Sequence, residues 1–110
     1  MLDLGSRDPD VILVDDERSE LDAYGFLLRS MGVRKIHAIQ DSTKVLEYMG
    51  KVISPVVFLD LNMPGKSGRE VLREIKEQLP QVPVIICTAD SEIETAVECL
   101  KLGAHDYLVK

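Results

Sequence analysis

The feature of the sequence that most constrains the fold is an uninterrupted apolar run, Val56–Leu59, that leads directly into Asp60. A continuous apolar run of this length is typical of a strand that is buried on both faces, as in a parallel sheet. Pro64 and Gly65 then predict a turn, because proline fixes φ and glycine tolerates a positive φ. Asp60 is therefore expected where a buried strand opens into a loop, at the edge where ligands bind in open parallel α/β sheets.

The rest of the chain alternates between strand-like apolar runs and helical patterns. The other strands are predicted at residues 11–14, 35–39, 84–88 and 106–110. The helical patterns begin at Glu17, Asp41, Ser67 and Ser91 and are terminated by Gly32, Gly50, Pro80 and Gly103. Two of these starting serines precede a glutamate by three residues, which is the spacing of a capping box. This alternating order with short loops predicts a mainly parallel sheet with helices on both faces.

Apolar residues at helical spacing indicate which face of a helix is buried. In the first helix these residues are Leu21, Tyr24, Leu28 and Met31. In the last helix they are Ile93, Ala96, Val97 and Leu100. We expect both sets to pack against the sheet.

Because the strands of such a sheet point the same way, their carboxyl ends share one edge. The residues predicted at that edge are Asp15, Asp16, Asp60, Thr88 and Lys110. Carboxylates that are packed together raise one another's pKa, and a bound cation makes such a cluster tolerable. Oxygen ligands favour a hard cation, and few protein ligands with water in the remaining positions suit Mg²⁺ better than Ca²⁺. The sequence therefore predicts a magnesium site at this edge.

The same edge also predicts phosphoryl chemistry. A Mg²⁺ ion with a free face, a lysine and a hydroxyl form a clamp for a phosphoryl group, and here Lys110 and Thr88 supply the last two. Asp60, deepest on the central strand, is left with the role of nucleophile. Its carboxylate can attack phosphorus and form an aspartyl phosphate.

The site residues belong to short motifs that follow one another along the chain. The motifs are Asp15-Asp16, Asp60 before Leu61-Asn62-Met63-Pro64-Gly65, Thr88-Ala89, and Tyr107 three residues before Lys110. In order and spacing they resemble the response-regulator receiver domain of two-component signal transduction, and the resemblance extends from Val11 to Lys110. It implies a flavodoxin-like α/β fold, a doubly wound parallel five-stranded sheet with strand order 2-1-3-4-5. It also implies a cytoplasmic phosphoprotein that is not a turnover enzyme, although it promotes its own phosphorylation and dephosphorylation.

The resemblance implies a role for each residue around the metal. Asp60 would be the phosphoacceptor, and its phosphoryl group would come from a histidine kinase or a phosphotransfer protein. Asp16 would ligate Mg²⁺ directly, and Asp15 would act mainly through water. Asn62 would offer its backbone carbonyl to the metal.

The resemblance also implies a switch. Lys110 would pair with the phosphoryl oxygens, and Thr88 would turn its hydroxyl onto them. Tyr107 would be the aromatic residue that moves inward when Thr88 moves. The surface of the fourth helix and fifth strand would then change and control an output domain or a partner protein.

The ends of the chain give a prediction about domains. The family pattern continues past the lysine with a loop and a fifth helix, whereas this chain ends at Lys110. We expect an N-terminal tail at residues 1–10 and a receiver domain at residues 11–110 without its fifth helix. The chain would then be either a piece of a longer regulator or a domain whose fifth helix comes from elsewhere. The uncovered apolar face beside the fifth strand would invite association, so a homodimer or an unstable monomer is expected.

Composition excludes several other functions. The formal net charge is −6 and no basic stripe is present, so direct nucleic-acid binding is not expected. No apolar stretch approaches the length of a membrane span. Cys87 and Cys99 lack metal-ligand spacing and are expected to be buried thiols in a reducing, cytoplasmic compartment. His37 and His105 are far apart in the sequence, and we assign neither a catalytic role.

Three alternatives can be weighed against the receiver domain. A magnesium-dependent phosphatase of the haloacid-dehalogenase type also uses a strand-end aspartate, but it needs a second acid two residues later, where this chain has Asn62. A pseudo-receiver would be expected to lose one of the acids or the lysine, and none is lost. A nucleotide-binding domain is disfavoured because no glycine-rich phosphate motif follows the first strand.

Overall fold

The computed structural model describes residues 9–110, so the first eight residues of the predicted tail lie outside the described part of the chain. Its strands are β1 (Asp10–Val14), β2 (Lys35–Ile39), β3 (Val56–Leu59), β4 (Val84–Thr88) and β5 (Asp106–Val109). Its helices are α1 (Arg18–Ser30), α2 (Val45–Met49), α3 (Gly68–Gln78) and α4 (Ile93–Lys101), with a 3₁₀ turn (Ser42–Lys44) directly before α2. None of the helices within residues 9–110 combines the length and apolar character needed to cross a membrane.

The five strands form one parallel sheet in the order β2-β1-β3-β4-β5, which confirms the predicted topology. In the middle of the sheet, Leu13 of β1 pairs with Ala38 of β2 on one side and with Phe58 of β3 on the other. β3 in turn pairs with β4, and β4 with β5. The chain reverses its winding direction after β2, and β1 and β3 therefore flank the topological switch point at which α/β sheets bind ligands.

Helices cover the two faces of the sheet unequally. The larger core cluster includes Ile12, Val57 and Ile86 of the sheet, Ile75 of α3 and Cys99 of α4. On the opposite face, α1 packs Leu21 and Leu28 against β1. Each fully buried aliphatic side chain of this kind contributes roughly 1.5–3 kcal/mol to stability. Within the described residues, α1 is thus the helix that covers the second face.

The uneven cover leaves part of β5 exposed. Leu108 pairs with Cys87 and therefore points to the same face as α1, and it is about half exposed. Val109 points to the opposite face and is also exposed, at the edge of the sheet. This agrees with the expectation of an uncovered apolar surface beside the fifth strand.

The helix starts agree with the sequence at α3 and differ at α4. Ser67 caps α3 as predicted, because its hydroxyl accepts a hydrogen bond from the Glu70 N–H at 3.3 Å. The capping box predicted at Ser91 is wrong: α4 begins at Ile93, and its N-cap residue, Glu92, makes no side-chain cap hydrogen bond. The reason lies one residue before the predicted cap, where the Asp90 carboxylate accepts the Glu92 N–H at 2.9 Å and extends the loop.

The predicted buried face of α4 is also wrong. Thr95 and Cys99 face the core, whereas Ile93, Val97 and Leu100 are 80%, 43% and 47% exposed. Apolar residues occur on both sides of this short helix, so periodicity alone could not identify the buried side. Met31, predicted on the buried face of α1, is likewise mostly exposed because the helix ends at Ser30.

Candidate functional site

Backbone hydrogen bonds of the sheet continue past the strand ends and hold the predicted site residues in place. The Asp60 N–H donates to the Val14 carbonyl at 3.0 Å, which places Asp60 beside the end of β1. The Lys110 N–H donates to the Thr88 carbonyl at 2.8 Å, which aligns the ends of β4 and β5. Both contacts extend the ladder of parallel strands by one residue, so the strand register determines which side chains meet.

Three of the predicted residues form a cluster of carboxylates. Asp15, Asp16 and Asp60 each offer an oxygen, and these oxygens all lie within 4.8 Å of one another. Asp15 and Asp60 are buried, whereas Asp16 is half-buried. A set of oxygen donors with one half-exposed member fits a hard divalent cation that keeps some of its water, as Mg²⁺ does. The chemistry of the donor set thus agrees with the predicted magnesium site.

Lys110 provides the positive charge of the cluster. Its Nζ donates a hydrogen bond to Asp15 Oδ2 at 2.6 Å and lies 3.7 Å from Glu20 Oε2 and 3.9 Å from Asp60 Oδ2. Burial alone would lower the pKa of Lys110. The hydrogen bond to Asp15 and the charges of Asp60, Asp15 and Glu20 outweigh burial and raise that pKa. Lys110 therefore remains an ammonium and partly neutralises the carboxylates.

The Asp60 carboxyl has a raised pKa, chiefly because burial disfavours its charge. The neighbouring Lys110 ammonium lowers this pKa, and the Asp15 carboxylate raises it. Hydrogen bonds from the Asn62 backbone N–H and the Thr88 hydroxyl favour the ionised form. The structure thus brings Asn62 and Thr88 to Asp60, as the sequence suggested, and the role of the Asn62 carbonyl as a metal ligand stays a prediction.

Thr88 and Tyr107 meet at a residue that the sequence analysis did not select. Thr88 is fully buried, and its Oγ accepts the Asp90 N–H at 3.4 Å. The half-buried Tyr107 donates its hydroxyl hydrogen to the Asp90 carbonyl at 2.6 Å. Asp90 therefore joins the threonine to the tyrosine through its own backbone. Because this role uses only backbone atoms, the identity of the residue at position 90 does not predict it.

Gly68 is a second residue whose role the sequence analysis missed. A Cβ atom at this position would lie 2.2 Å from the Asp60 carbonyl oxygen and 2.6 Å from the Leu61 Cα. The Gly68 N–H donates to the Leu61 carbonyl at 3.0 Å. The start of α3 thus rests on the backbone that carries Asp60, and only glycine leaves room for this contact.

The remaining polar candidates lie outside the carboxylate cluster. Burial raises the pKa of the Cys87 thiol to about 12, so Cys87 is unsuited to act as a nucleophile. His37 contacts Tyr48 Oη at 2.6 Å through Nδ1 and Asp10 Oδ1 at 2.8 Å through Nε2. This contact ties α2 to the start of β1, and neither His37 nor His105 is among the described residues that form the cluster.

Together, the fold and the site define a class: a doubly wound α/β domain with an acidic, metal-type site at the carboxyl edge of its sheet. The family model for the response regulator receiver domain matches residues 11–110. The chain therefore belongs to the response regulator receiver domain family. The match favours this family over the haloacid-dehalogenase phosphatases that the sequence left as an alternative.

Similar proteins agree with this assignment. The transcriptional regulatory protein ZraR of Klebsiella oxytoca is 40% identical over 101 residues, which cover 92% of this chain and 23% of that protein. The response regulator protein FleR of Pseudomonas aeruginosa is 34% identical, with 91% of this chain and 21% of FleR covered. The chain thus spans less than a quarter of the length of these relatives. It is a receiver domain of a response regulator, a signalling domain of the two-component type.

Solved structures of receiver domains resemble the fold closely. The receiver domain of a Clostridium thermocellum response regulator has a TM-score of 0.83 at 34% identity, with 93% of this chain and 82% of that chain covered. The receiver domain of NtrX from Brucella abortus has a TM-score of 0.84 at 32% identity, with coverages of 92% and 85%. These likenesses support both the topology and the family assignment.

The raised pKa of Asp60 predicts that Asp60→Asn stabilises the protein in the absence of divalent cations. The ionised carboxyl opposes folding once the pH exceeds its pKa in the unfolded chain, and this penalty is complete above the higher pKa of the folded state. The melting temperature of Asp60→Asn should therefore exceed that of the wild type at pH 7. The difference should shrink as the pH falls toward 3.8, the ordinary value for aspartate.

Asp41→Asn is the matched control, because this substitution should lower stability at pH 7 where Asp60→Asn should raise it. Hydrogen bonds from Thr43 lower the pKa of Asp41, so its ionised form favours folding at pH 7, and this contribution is lost as the pH falls. Thermal unfolding of both variants between pH 7 and pH 4 provides the measurement. A gain in stability for Asp60→Asn that does not change over this pH range would contradict the assigned electrostatics.

Proposed function

We propose that this domain accepts a phosphoryl group on Asp60 from a histidine kinase or a phosphotransfer protein and, as a result, controls an output domain or partner. The observation that carries the proposal is the position of Asp60: its carboxylate belongs to the acidic cluster and lies 3.9 Å from the Lys110 ammonium, and the nearby Thr88 hydroxyl favours its ionised form. These are a nucleophile, a hydrogen-bond donor and a cation on one side of a metal-type site. The combination suits phosphoryl transfer, which depends on positioning and charge stabilisation.

Four groups would hold Mg²⁺: the carboxylates of Asp60, Asp16 and Asp15 and the backbone carbonyl of Asn62. When bound, Mg²⁺ would neutralise the carboxylates and withdraw charge from the phosphoryl oxygens. Asp16 is the most exposed of the three acids and the proposed direct ligand. Asp15 already accepts the Lys110 ammonium at 2.6 Å, which supports a mainly water-mediated role for it.

In the proposed reaction, an oxygen of the Asp60 carboxylate attacks the phosphorus of a phosphohistidine. The new O–P bond forms as the N–P bond breaks, and the electron pair of that bond returns to the imidazole of the donor. The Lys110 ammonium and the Thr88 hydroxyl lie next to Asp60 and would donate hydrogen bonds to the transferred oxygens. The domain would promote its own phosphorylation and dephosphorylation and would not turn over a substrate.

The contacts of Asp90 support a route from the site to the surface. Thr88 Oγ accepts the Asp90 N–H, and Tyr107 binds the Asp90 carbonyl, so a shift of the Thr88 hydroxyl toward phosphoryl oxygens would change the loop before α4. One hydrogen bond to a charged group contributes roughly 1.5–3 kcal/mol. This amount shifts a two-state loop about tenfold to a hundredfold if both states lie close in free energy.

The proposed output surface consists of the exposed side of α4 and of β5. Ile93, Val97 and Leu100 form an apolar stripe on this side of α4, and Leu108 and Val109 of β5 are also exposed. A stripe of this kind suits a protein partner. We propose an output domain or partner protein as its occupant, and a homodimer as a further use of it. The negative net charge argues against direct binding of nucleic acid by this segment.

The length of the relatives supports a place for the domain within a longer regulator. The chain covers 23% of ZraR, a transcriptional regulatory protein, and we propose that a longer regulator of this kind carries an output domain outside the receiver unit. We propose residues 11–110 as the receiver unit, and cytoplasmic signalling as its setting.

Acetyl phosphate and Mg²⁺ should add one phosphoryl group to the wild-type protein and none to Asp60→Asn. The reason is that Asp60 is the proposed nucleophile, and an amide cannot replace its carboxylate in this role. Intact-mass analysis provides the measurement. Asp22→Asn, which changes an exposed acid on α1, is the matched control and should be labelled like the wild type. Equal labelling of Asp60→Asn would show that the phosphoryl group goes elsewhere.

Thr88→Ala should still allow phosphorylation of Asp60, but phosphorylation should no longer change α4. In the wild type, beryllofluoride with Mg²⁺ should change hydrogen exchange over residues 91–102, because the Thr88 hydroxyl transmits the change. Thr88→Ser, which keeps the hydroxyl, should retain this response, and Thr88→Ala should lose it. The same exchange response in Thr88→Ala as in the wild type would rule out the hydroxyl as the coupling group.

A further inference from the structure

The Lys110 ammonium lies among carboxylates that come from different parts of the fold. Asp15 follows β1, Asp60 follows β3, and Glu20 lies in the first turn of α1. Asp15 and Asp60 belong to the acidic cluster, whereas Glu20 does not. Glu20 thus forms an ion pair with Lys110 from a position beside the acidic cluster and outside it.

Both oxygens of the Asp15 carboxylate are already engaged. Oδ1 accepts the Glu17 N–H at 3.0 Å, and Oδ2 accepts the Lys110 ammonium at 2.6 Å. A divalent cation in the acidic cluster would bring water molecules that compete with Lys110 for the Asp15 oxygens, and the two positive charges would repel each other. An ion entering the cluster therefore favours departure of the ammonium from Asp15.

Glu20 is well placed to receive the departing ammonium. Its Oε2 is 3.7 Å from Lys110 Nζ, closer than the Asp60 carboxylate at 3.9 Å. The Glu20 N–H is bonded to the Glu17 carbonyl at 3.1 Å, so the same short segment positions Asp15 and Glu20. Only 17% of the Lys110 side chain is exposed, so water alone would solvate a displaced ammonium poorly.

We propose that Glu20 is a positioning residue for Lys110. It accepts the ammonium when a divalent cation takes the acidic cluster, and it keeps the ammonium at the rim until phosphoryl oxygens on Asp60 bind it. This inference rests on the proposed magnesium-dependent phosphorylation. It adds a residue to that site and predicts that Glu20 tunes metal affinity through Lys110.

The test is a double-mutant cycle on Mg²⁺ affinity, measured by calorimetric titration of the folded chain. Glu20→Gln should raise the Mg²⁺ dissociation constant about tenfold, because Lys110 then stays on Asp15. Glu20→Asp should have a similar effect, because it keeps the charge but shortens the reach. Glu17→Gln removes an exposed acid of the same segment and should change the dissociation constant much less.

Measurements in the Lys110→Met background show whether Glu20 acts through its contact with Lys110 or through a direct effect of its charge on Mg²⁺. If Glu20 acts through Lys110, Glu20→Gln should have almost no effect on Mg²⁺ affinity in Lys110→Met. An undiminished effect in that background, or a wild-type dissociation constant for Glu20→Asp, would overturn the proposal.

Labelling with acetyl phosphate distinguishes this inference from the proposed function. One outcome would overturn the role of Glu20 and leave the function intact: the wild type binds Mg²⁺ and is labelled on Asp60, and Glu20→Gln has the same Mg²⁺ affinity. Absence of both Mg²⁺ binding and labelling in the wild type would overturn the function and the inference with it.

Discussion

The contact between Lys110 and Asp15 is the interaction on which the site depends. Parallel pairing brings three carboxylates within 4.8 Å of one another, and burial makes their mutual repulsion more costly. The ammonium at 2.6 Å from Asp15 compensates part of this repulsion and reaches the cluster because the Lys110 backbone pairs with Thr88. The pKa of Asp60 is nevertheless raised, chiefly because burial disfavours its charge. The site is thus poised to gain from a further cation.

The packing around the site limits how it can respond. The start of α3 lies against the Asp60 backbone at Gly68, so the loop that holds the proposed phosphoacceptor is confined on one side. On the other side, the loop before α4 is joined to the site through Asp90, and α4 itself keeps an apolar stripe exposed. In the proposed function, the confined side would hold Asp60 in place for phosphorylation, and the side with the exposed stripe would change on phosphorylation.

Most of the architecture could be predicted from the sequence because strands buried on both faces leave a strong pattern. The apolar runs and the polar residues that end them predicted the strands and the shared edge of Asp15, Asp60, Thr88 and Lys110, and the family resemblance supplied the strand order. The buried face of α4 could not be predicted. Apolar residues lie on both sides of this helix, so the sequence pattern allows either side to pack against the sheet.

The contacts of Glu20, Gly68 and Asp90 were missed for other reasons. Asp90 acts through its backbone, which any residue type can provide, and Gly68 acts through the absence of a side chain. Glu20 contacts Lys110, which is 90 positions away in the sequence, and the contact is visible only in the folded structure. The position of Glu20, an acid in the first turn of α1 that follows Asp16 by four residues, was the one available signal. It is equally typical of a residue that favours the helix dipole.

The central claim is that strand register creates a magnesium-dependent phosphoacceptor at Asp60. A crystal structure of the protein with Mg²⁺ and beryllofluoride tests it most directly. We predict beryllofluoride on an Asp60 carboxylate oxygen, Mg²⁺ on Asp16, Asp60 and the Asn62 carbonyl, and fluoride contacts from Lys110 and Thr88. A metal ion bound away from these carboxylates, or beryllofluoride absent from Asp60 at saturating concentration, would contradict the account.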